Sequence, residues 1–176
     1  MKNMRKGIRL TSEFFNRDVL KVAPGLIGKV LVLKNGEGLN YFSITETEAY
    51  RGESDKACHA SRGRTPRNNI MYGKAGKVYV YFIYGMYWML NFVTAEENNP
   101  QAVLIRGIEG YCGPGKLTKA LNIDGSFYGE DLSTSDRIWI EDQGNKPVVK
   151  RGKRVGIGYA GKIWIDKQWR YFSELK

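Results

Sequence analysis

Residues 78–91 read VYVYFIYGMYWMLN, fourteen positions that hold four tyrosines, a phenylalanine and a tryptophan, with Gly85 near the centre and no charge. Alternation decides the first half. Tyr79, Tyr81 and Ile83 point one way and Val80, Phe82 and Tyr84 the other, so the run is a strand with two largely apolar faces. It is too short to cross a bilayer, which needs about 20 apolar residues. A glycine inside a strand pattern marks a turn, a bulge or a close approach by another chain. The segment is expected to be an aromatic hairpin with most of its length buried, and Tyr84 beside Gly85 is its irregular point.

Around this segment the chain reads mostly as strands and turns. Residues 11–27, TSEFFNRDVLKVAPGLI, open on hydroxyl residues suited to N-capping and carry apolar residues at helical spacing up to Pro24-Gly25, which predicts one or two short helices. KVLVLK predicts a strand, NGEG a turn, and NYFSITETEAY the hairpin partner. Residues 51–76 are polar and glycine-rich and include Arg62, Arg64 and Arg67; a loop that long within a compact domain is usually functional. Beyond the aromatic hairpin, NPQAVLIRGI is a further strand and GKLTKALNI a short helix behind Gly-Pro-Gly, while RIWIED and KRVGIGYAGKIWID are strand-like. Nothing repeats and no linker divides the chain. One domain, 1–176, of α+β class and rich in antiparallel strand is expected.

The net charge of +10 is unevenly placed. Residues 1–75 carry +7 and 151–176 carry +5, whereas 76–150 carry −2. A neutral aromatic centre flanked by two basic segments is the footprint of a polyanion binder. The start, MKNMRKGIRLTSEFF, lacks the apolar run of a secretory signal. Cys58, Cys112 and the single histidine, His59, are too few soft ligands for a structural zinc site, so reduced thiols in a cytosolic or nuclear protein are expected.

Three constellations could carry chemistry. In ITETEAY a period of two puts Glu46, Glu48 and Tyr50 on one face, the two carboxylates about 7 Å apart, so that at least one needs a cationic neighbour or a catalytic task. Either it is a solvated, ion-paired strand face or it holds a general base. GYCGPGKL, residues 110–117, has the glycines and lysine of a phosphate-binding loop. However, Leu117 stands where a hydroxyl should meet Mg²⁺, and Pro114 removes an N–H donor. Cys58-His59 are adjacent, a poor arrangement for a thiol–imidazole dyad.

Together, ETEAY, RTPRN and YVYFIYGMYWMLN, followed by VLIRGIE, GPGKLTKALNI, RVGIGYAG and WRYF, resemble in order and spacing the alkyladenine (3-methyladenine, methylpurine) DNA glycosylase family over nearly the whole chain. The resemblance implies a compact domain with a curved, mainly antiparallel sheet, flanking short helices and a protruding, DNA-intercalating β-hairpin. It implies an enzyme that flips alkylated purines out of duplex DNA and hydrolyses the N-glycosidic bond, leaving an abasic site. Carried onto this sequence, Glu48 is the general base and Arg106 helps hold the water, its charge keeping Glu48 ionised, with a backbone carbonyl within 154–158 completing the water site. Tyr50, Tyr81 and His59 form the base slot, Asn91 rejects guanine, and Tyr84 is the wedge, alone facing outward from a hairpin whose body is core and pocket wall. Arg62, Arg64 and Arg67 are placed on phosphates. No cofactor or metal is implied. The partner is double-stranded DNA with damaged purines, not a membrane, and the protein is expected to be a monomer, located in the cytoplasm or nucleoid of a prokaryote or the nucleus of a eukaryote. A non-catalytic DNA- or RNA-binding module on the same fold is the alternative, separated by release of free base. One departure stands out: only Gly110, Tyr111 and Cys112 separate Glu109 from Gly113, where the family carries a longer helical segment.

Overall fold

The computed structural model describes residues 7–36 and 38–173. In chain order they form β1 (Ile8–Arg9), α1 (Ser12–Phe15), α2 (Val19–Gly25), β2 (Val30–Asn35), β3 (Gly38–Arg51), β4 (Val78–Ile83), β5 (Tyr87–Thr94), β6 (Gln101–Ile108), β7 (Tyr111–Cys112), α3 (Pro114–Ala120), β8 (Ile138–Asp142), β9 (Lys150–Gly152), α4 (Lys162–Ile165) and β10 (Arg170–Phe172). The described strands join one antiparallel sheet along β1-β8-β2-β3-β6-β5-β4, with β7 beside β6, and β10 beside β3 and β9. This is the α+β, mainly antiparallel architecture expected. The strand β3 is its spine: one edge pairs first with β2 and then with β10, the other with β6. The expected NGEG turn falls partly on Glu37, outside the described residues.

Strand parity divides the sheet into a structural face and a chemical one. Residues directly opposite each other in an antiparallel pair share a face. Tyr79 lies opposite Asn91, Asn91 opposite Leu104, Leu104 opposite Glu48, and Glu48 opposite Arg170. That row crosses five strands and carries Asn91 and Glu48, with Tyr50 and Tyr81 on the same parity two residues along β3 and β4. The other parity, Val78, Val80, Leu90, Phe92, Val103, Ile105 and Ala49, enters the main core, which α2 and α3 cover with Val22, Ala23, Leu117 and Leu121. A strand with one apolar set in the core and one aromatic set in the site has no face left for solvent. This accounts for the absence of charge at 78–81 and 89–91, the parts of VYVYFIYGMYWMLN that lie below the exposed tip.

Three expectations need correction. Thr11 caps α1 without a side-chain bond; the capping side chain is Asp18, which accepts from Leu20 N–H at the start of α2. Residues 153–166 are not strand. They form a 3-10 turn at Gly158–Ala160 and then α4, because Gly156 and Gly161 sit at φ +76° and +86°, which breaks an extended run on both sides of the turn. The strands lie outside this piece, as β9 and β10, paired with each other. Nor does Tyr84 alone face outward: it is 85% exposed, but Met86 is 61% and Phe82 44% exposed. The hairpin runs past the last core residues, so Phe82, although on the core-facing parity, meets only the Trp88 ring at 4.8 Å among the described aromatic pairs.

Candidate active site

A narrow slot opens on the chemical face, lined by Tyr50 from β3, Tyr79 and Tyr81 from β4, Asn91 from β5, and His59 and Tyr159 from the connecting segments. The polar loop 51–76 folds back over the sheet through two 3-10 turns, His59–Arg62 and Asn69–Tyr72, and this brings His59 to the tyrosines. His59 Nδ1 lies 2.9 Å from the Tyr79 hydroxyl, and its ring meets Tyr81 edge-on at a centroid distance of 4.5 Å. Burial, helped by nearby Arg67, pushes the imidazole down to about 4, so it is neutral at physiological pH. The Asn91 side-chain amide donates to the carbonyls of Tyr79 and Met89, which fixes its orientation at the slot wall. Cys58 also lines the slot, but burial pushes its thiol up to about 11. A protonated thiol is no nucleophile, which removes the cysteine–histidine dyad.

Behind Tyr50 lies a carboxylate without solvent contact: Glu48 is 0% exposed. Its Oε2 accepts from the Tyr50 hydroxyl at 2.8 Å, its Oε1 accepts from Val155 N–H at 2.8 Å, and Arg106 Nε stands 3.6 Å from Oε1. Desolvation nevertheless outweighs the Arg106 charge and these donors, and it raises the Glu48 carboxyl above its ordinary value. Arg106 thus reaches Glu48, but it offsets the cost of burial only in part. The contact from residues 154–158 to this carboxylate is a donor, Val155 N–H.

Arg106 is aimed by a double irregularity in the β3–β6 ladder. Thr47 faces Ile105 and Glu46 faces Gly107, so Arg106 is the extra residue on β6, while Thr45 is the extra residue on β3. The backbones come so close here that a Cβ on Gly107 would stand 2.9 Å from Thr45 Oγ1 and 3.1 Å from Glu46 Cβ. The bulge brings Arg106 Nε to 3.1 Å from Glu46 Oε1.

Several contributors lack a sequence signal. Arg154 is buried, donating to both Asp55 oxygens at 2.6 and 2.9 Å and to the Ala49 carbonyl at 2.9 Å. Its guanidinium lies over the rings of Tyr50 and Trp169, at 4.9 and 5.0 Å. Arg154 and Asp55 are far apart in sequence, and a charge inside RVGIGYAG was the only hint. Tyr159, whose hydroxyl donates to the Ala57 carbonyl, closes the outer wall of the slot.

At the hairpin tip, Tyr84 and Gly85 both have positive φ, +52° and +65°, and Met86 N–H donates to the Ile83 carbonyl. That is a mirror-image turn of the kind tight hairpins favour, but with a tyrosine where asparagine or glycine is usual. Arg62, Arg64 and Arg67 are all exposed. Arg67 lies over the Tyr81 ring at 5.0 Å and so borders the slot, whereas Arg64 lies over the Tyr72 ring and donates to Asn69 Oδ1, farther along the same loop. Lys116 is exposed on α3, on the other side of the sheet, and Gly115 presses its backbone onto the Tyr87 ring, where a Cβ would come within 2.7 Å. Packing, not a phosphate, accounts for that glycine.

The family model for methylpurine-DNA glycosylase matches residues 13–113 and 111–176, the two matches meeting where the segment between Glu109 and Gly113 is short. A protein of Rickettsia felis is 46% identical over 175 residues, covering 96% of this chain and 94% of its own length. One from Methanocella arvoryzae is 41% identical over 188 residues (94% and 92%), and one from Sodalis glossinidius 45% over 171 residues (93% and 96%). All three are provisionally named 3-methyladenine DNA glycosylase. With the family matched from residue 13 to residue 176 and relatives this similar over almost their full lengths, the chain belongs to the methylpurine-DNA glycosylase family and is a DNA glycosylase.

Proposed function

We propose that this enzyme removes alkylated purines of the 3-methyladenine type from duplex DNA by extruding the nucleotide and hydrolysing its N-glycosidic bond with a water activated by Glu48. The observation that carries the reading is a fully buried carboxylate directly behind the wall of an aromatic slot. The names of the relatives support the substrate class.

A glycosidic bond inside a duplex is out of reach, so the nucleotide rotates out at a cost of a few kcal/mol. Tyr84, exposed at the hairpin tip, fills the gap. The base enters between Tyr50, Tyr81 and His59, whose electron-rich rings favour a purine made cationic by alkylation. Asn91, held by its two backbone acceptors, excludes the amino group of guanine. Arg62, Arg64 and Arg67 take the phosphates beside the slot.

In the chemical step the water oxygen bonds to the sugar carbon as its bond to the base nitrogen breaks. The bonding electrons leave with the base, neutralising its positive charge, and Glu48 takes the water proton. Arg106 holds the water and the carboxylate together. Among the described residues no lysine lines the slot, which fits hydrolysis without an amine–sugar intermediate and without strand cleavage.

The test is Glu48→Gln, which keeps shape and hydrogen-bonding capacity but cannot accept the proton. Lesion-duplex binding should persist while release of free 3-methyladenine falls on the order of 10² to 10⁴. Normal turnover by the variant would remove Glu48 from its role, and no base release by the unmodified protein would leave a DNA-binding module.

A further inference from the structure

Glu48 does not hold Arg106 alone. Arg106 Nε points between two carboxylates, 3.1 Å from Glu46 Oε1 and 3.6 Å from Glu48 Oε1, and the nearer one is not the proposed base. Glu46 Oε1 in turn accepts from Arg170 at 3.0 Å, and Arg170 is tied through its Nε to the Lys153 carbonyl at 2.8 Å. Arg170 stands opposite Glu48 in the β3–β10 ladder. Three strands therefore supply an alternating row, Arg170–Glu46–Arg106–Glu48, in which each charge is shared with the next. The members are at most about a quarter exposed, so solvent screens the row only weakly.

We propose that Glu46 and Arg170 are positioning residues that set how Arg106 is divided between the two carboxylates, and through that division the basicity of Glu48. The inference rests on Glu48 as the base. Glu46 acts on Glu48 in two ways of the same sign: its negative charge disfavours a second carboxylate nearby, and it draws the Arg106 donor away. Both make Glu48 a stronger base. Arg170 restrains this by partly neutralising Glu46. The other groups facing Glu48 are the Tyr50 hydroxyl, Val155 N–H and, further off, the Tyr81 hydroxyl, while Arg154 is paired with Asp55 through both terminal nitrogens. None of these groups bonds Glu46 or Arg170 directly.

The experiment measures release of 3-methyladenine from methylated duplex DNA across pH. That leaving group is already cationic, so the acid limb reports the enzyme. Glu46→Gln should move the limb to lower pH, and Arg170→Gln, leaving Glu46 unneutralised, to higher pH, each changing the ratio of acid-limb to plateau rate several-fold in opposite directions. Arg170→Lys, which keeps the charge, should return the limb toward its original place. The double substitution Glu46→Gln with Arg170→Gln should behave as Glu46→Gln alone, because Arg170 acts through Glu46. A purely structural role would lower the plateau without moving the limb. Limbs that stay fixed, or that move in the same direction for both single substitutions, overturn the proposal while Glu48 keeps its role. An active Glu48→Gln overturns both.

Discussion

His59 is the one histidine of the chain, so its titration can be followed without assignment. Burial and Arg67 hold its imidazole at about 4, well below the usual 6.5. A proton NMR titration should place the midpoint near 4; a midpoint at the ordinary value would mean the ring is solvated. The linkage sign follows. The folded state binds fewer protons than the unfolded state between these values, so stability should be lost as pH falls from about 6.5 toward 4, and His59→Gln should flatten that slope. Glu48 has the opposite sign, because burial has raised an acid. Above its folded-state pKa the ionised group costs stability, so Glu48→Gln should melt at neutral pH no lower than the unmodified protein. A clear fall in melting temperature would show that the Arg106, Tyr50 and Val155 contacts outweigh desolvation. The Glu46–Glu48–Tyr50 face was legible because a period of two is local. The buried Arg154–Asp55 pair was not, because nothing in either residue's neighbourhood announces a partner 99 positions away.

Elements follow the same division. Strands with six or more patterned residues could be read from alternation, whereas β9 and β10, three residues each, exist only because they pair with each other and with β3. The bulge at Arg106 was equally silent, since a ladder irregularity belongs to two strands at once. It has a direct test: Gly107→Ala would drive a methyl against Thr45 and Glu46, and should cost about 1–3 kcal/mol as overpacking does while disturbing the Glu46–Arg106 pair. A variant with normal stability and a normal pH profile would show that the close approach relaxes freely. At the other end of the site, Tyr84 holds a left-handed conformation that a glycine would adopt without strain. Tyr84→Gly removes a local cost of about 1–3 kcal/mol, offset in part by glycine's freer unfolded state, so the melting temperature should hold or rise. Excision from duplex should fall by about ten- to a hundredfold, because the flipped state loses a stacking surface worth about 1–3 kcal/mol. Excision from single strands, where little stacking must be replaced, should fall less. Lost stability with an unchanged ratio of duplex to single-strand activity would make Tyr84 a structural residue.

Over the whole molecule the question is whether charge and site face the same way. The two basic segments of the sequence, 1–75 and 151–176, contribute the arginine loop and the 154–160 wall to one side of the sheet, where the slot opens, while α2 and α3 cover the other. If the slot side carries the DNA, binding to undamaged duplex should be dominated by counterion release, the logarithm of affinity falling linearly with the logarithm of salt at about 0.9 per phosphate neutralised. Four contacts would lose roughly two decades between 50 and 200 mM salt. A weak slope alone would not locate the footprint, so position must be tested by substitution. Arg62→Ser and Arg64→Ser, in the arginine loop that folds over the slot side of the sheet, should each weaken binding for all sequences alike and reduce the slope by about 1. Lys21→Ser, removing an exposed cation from α2 on the covered face, changes the net charge by the same amount and should leave the slope unchanged. Equal effects from all three would mean that only net charge matters and that the duplex has no preferred face. Loss confined to Arg62 and Arg64 would put the phosphates beside the slot, with the hairpin tip where a wedge must be.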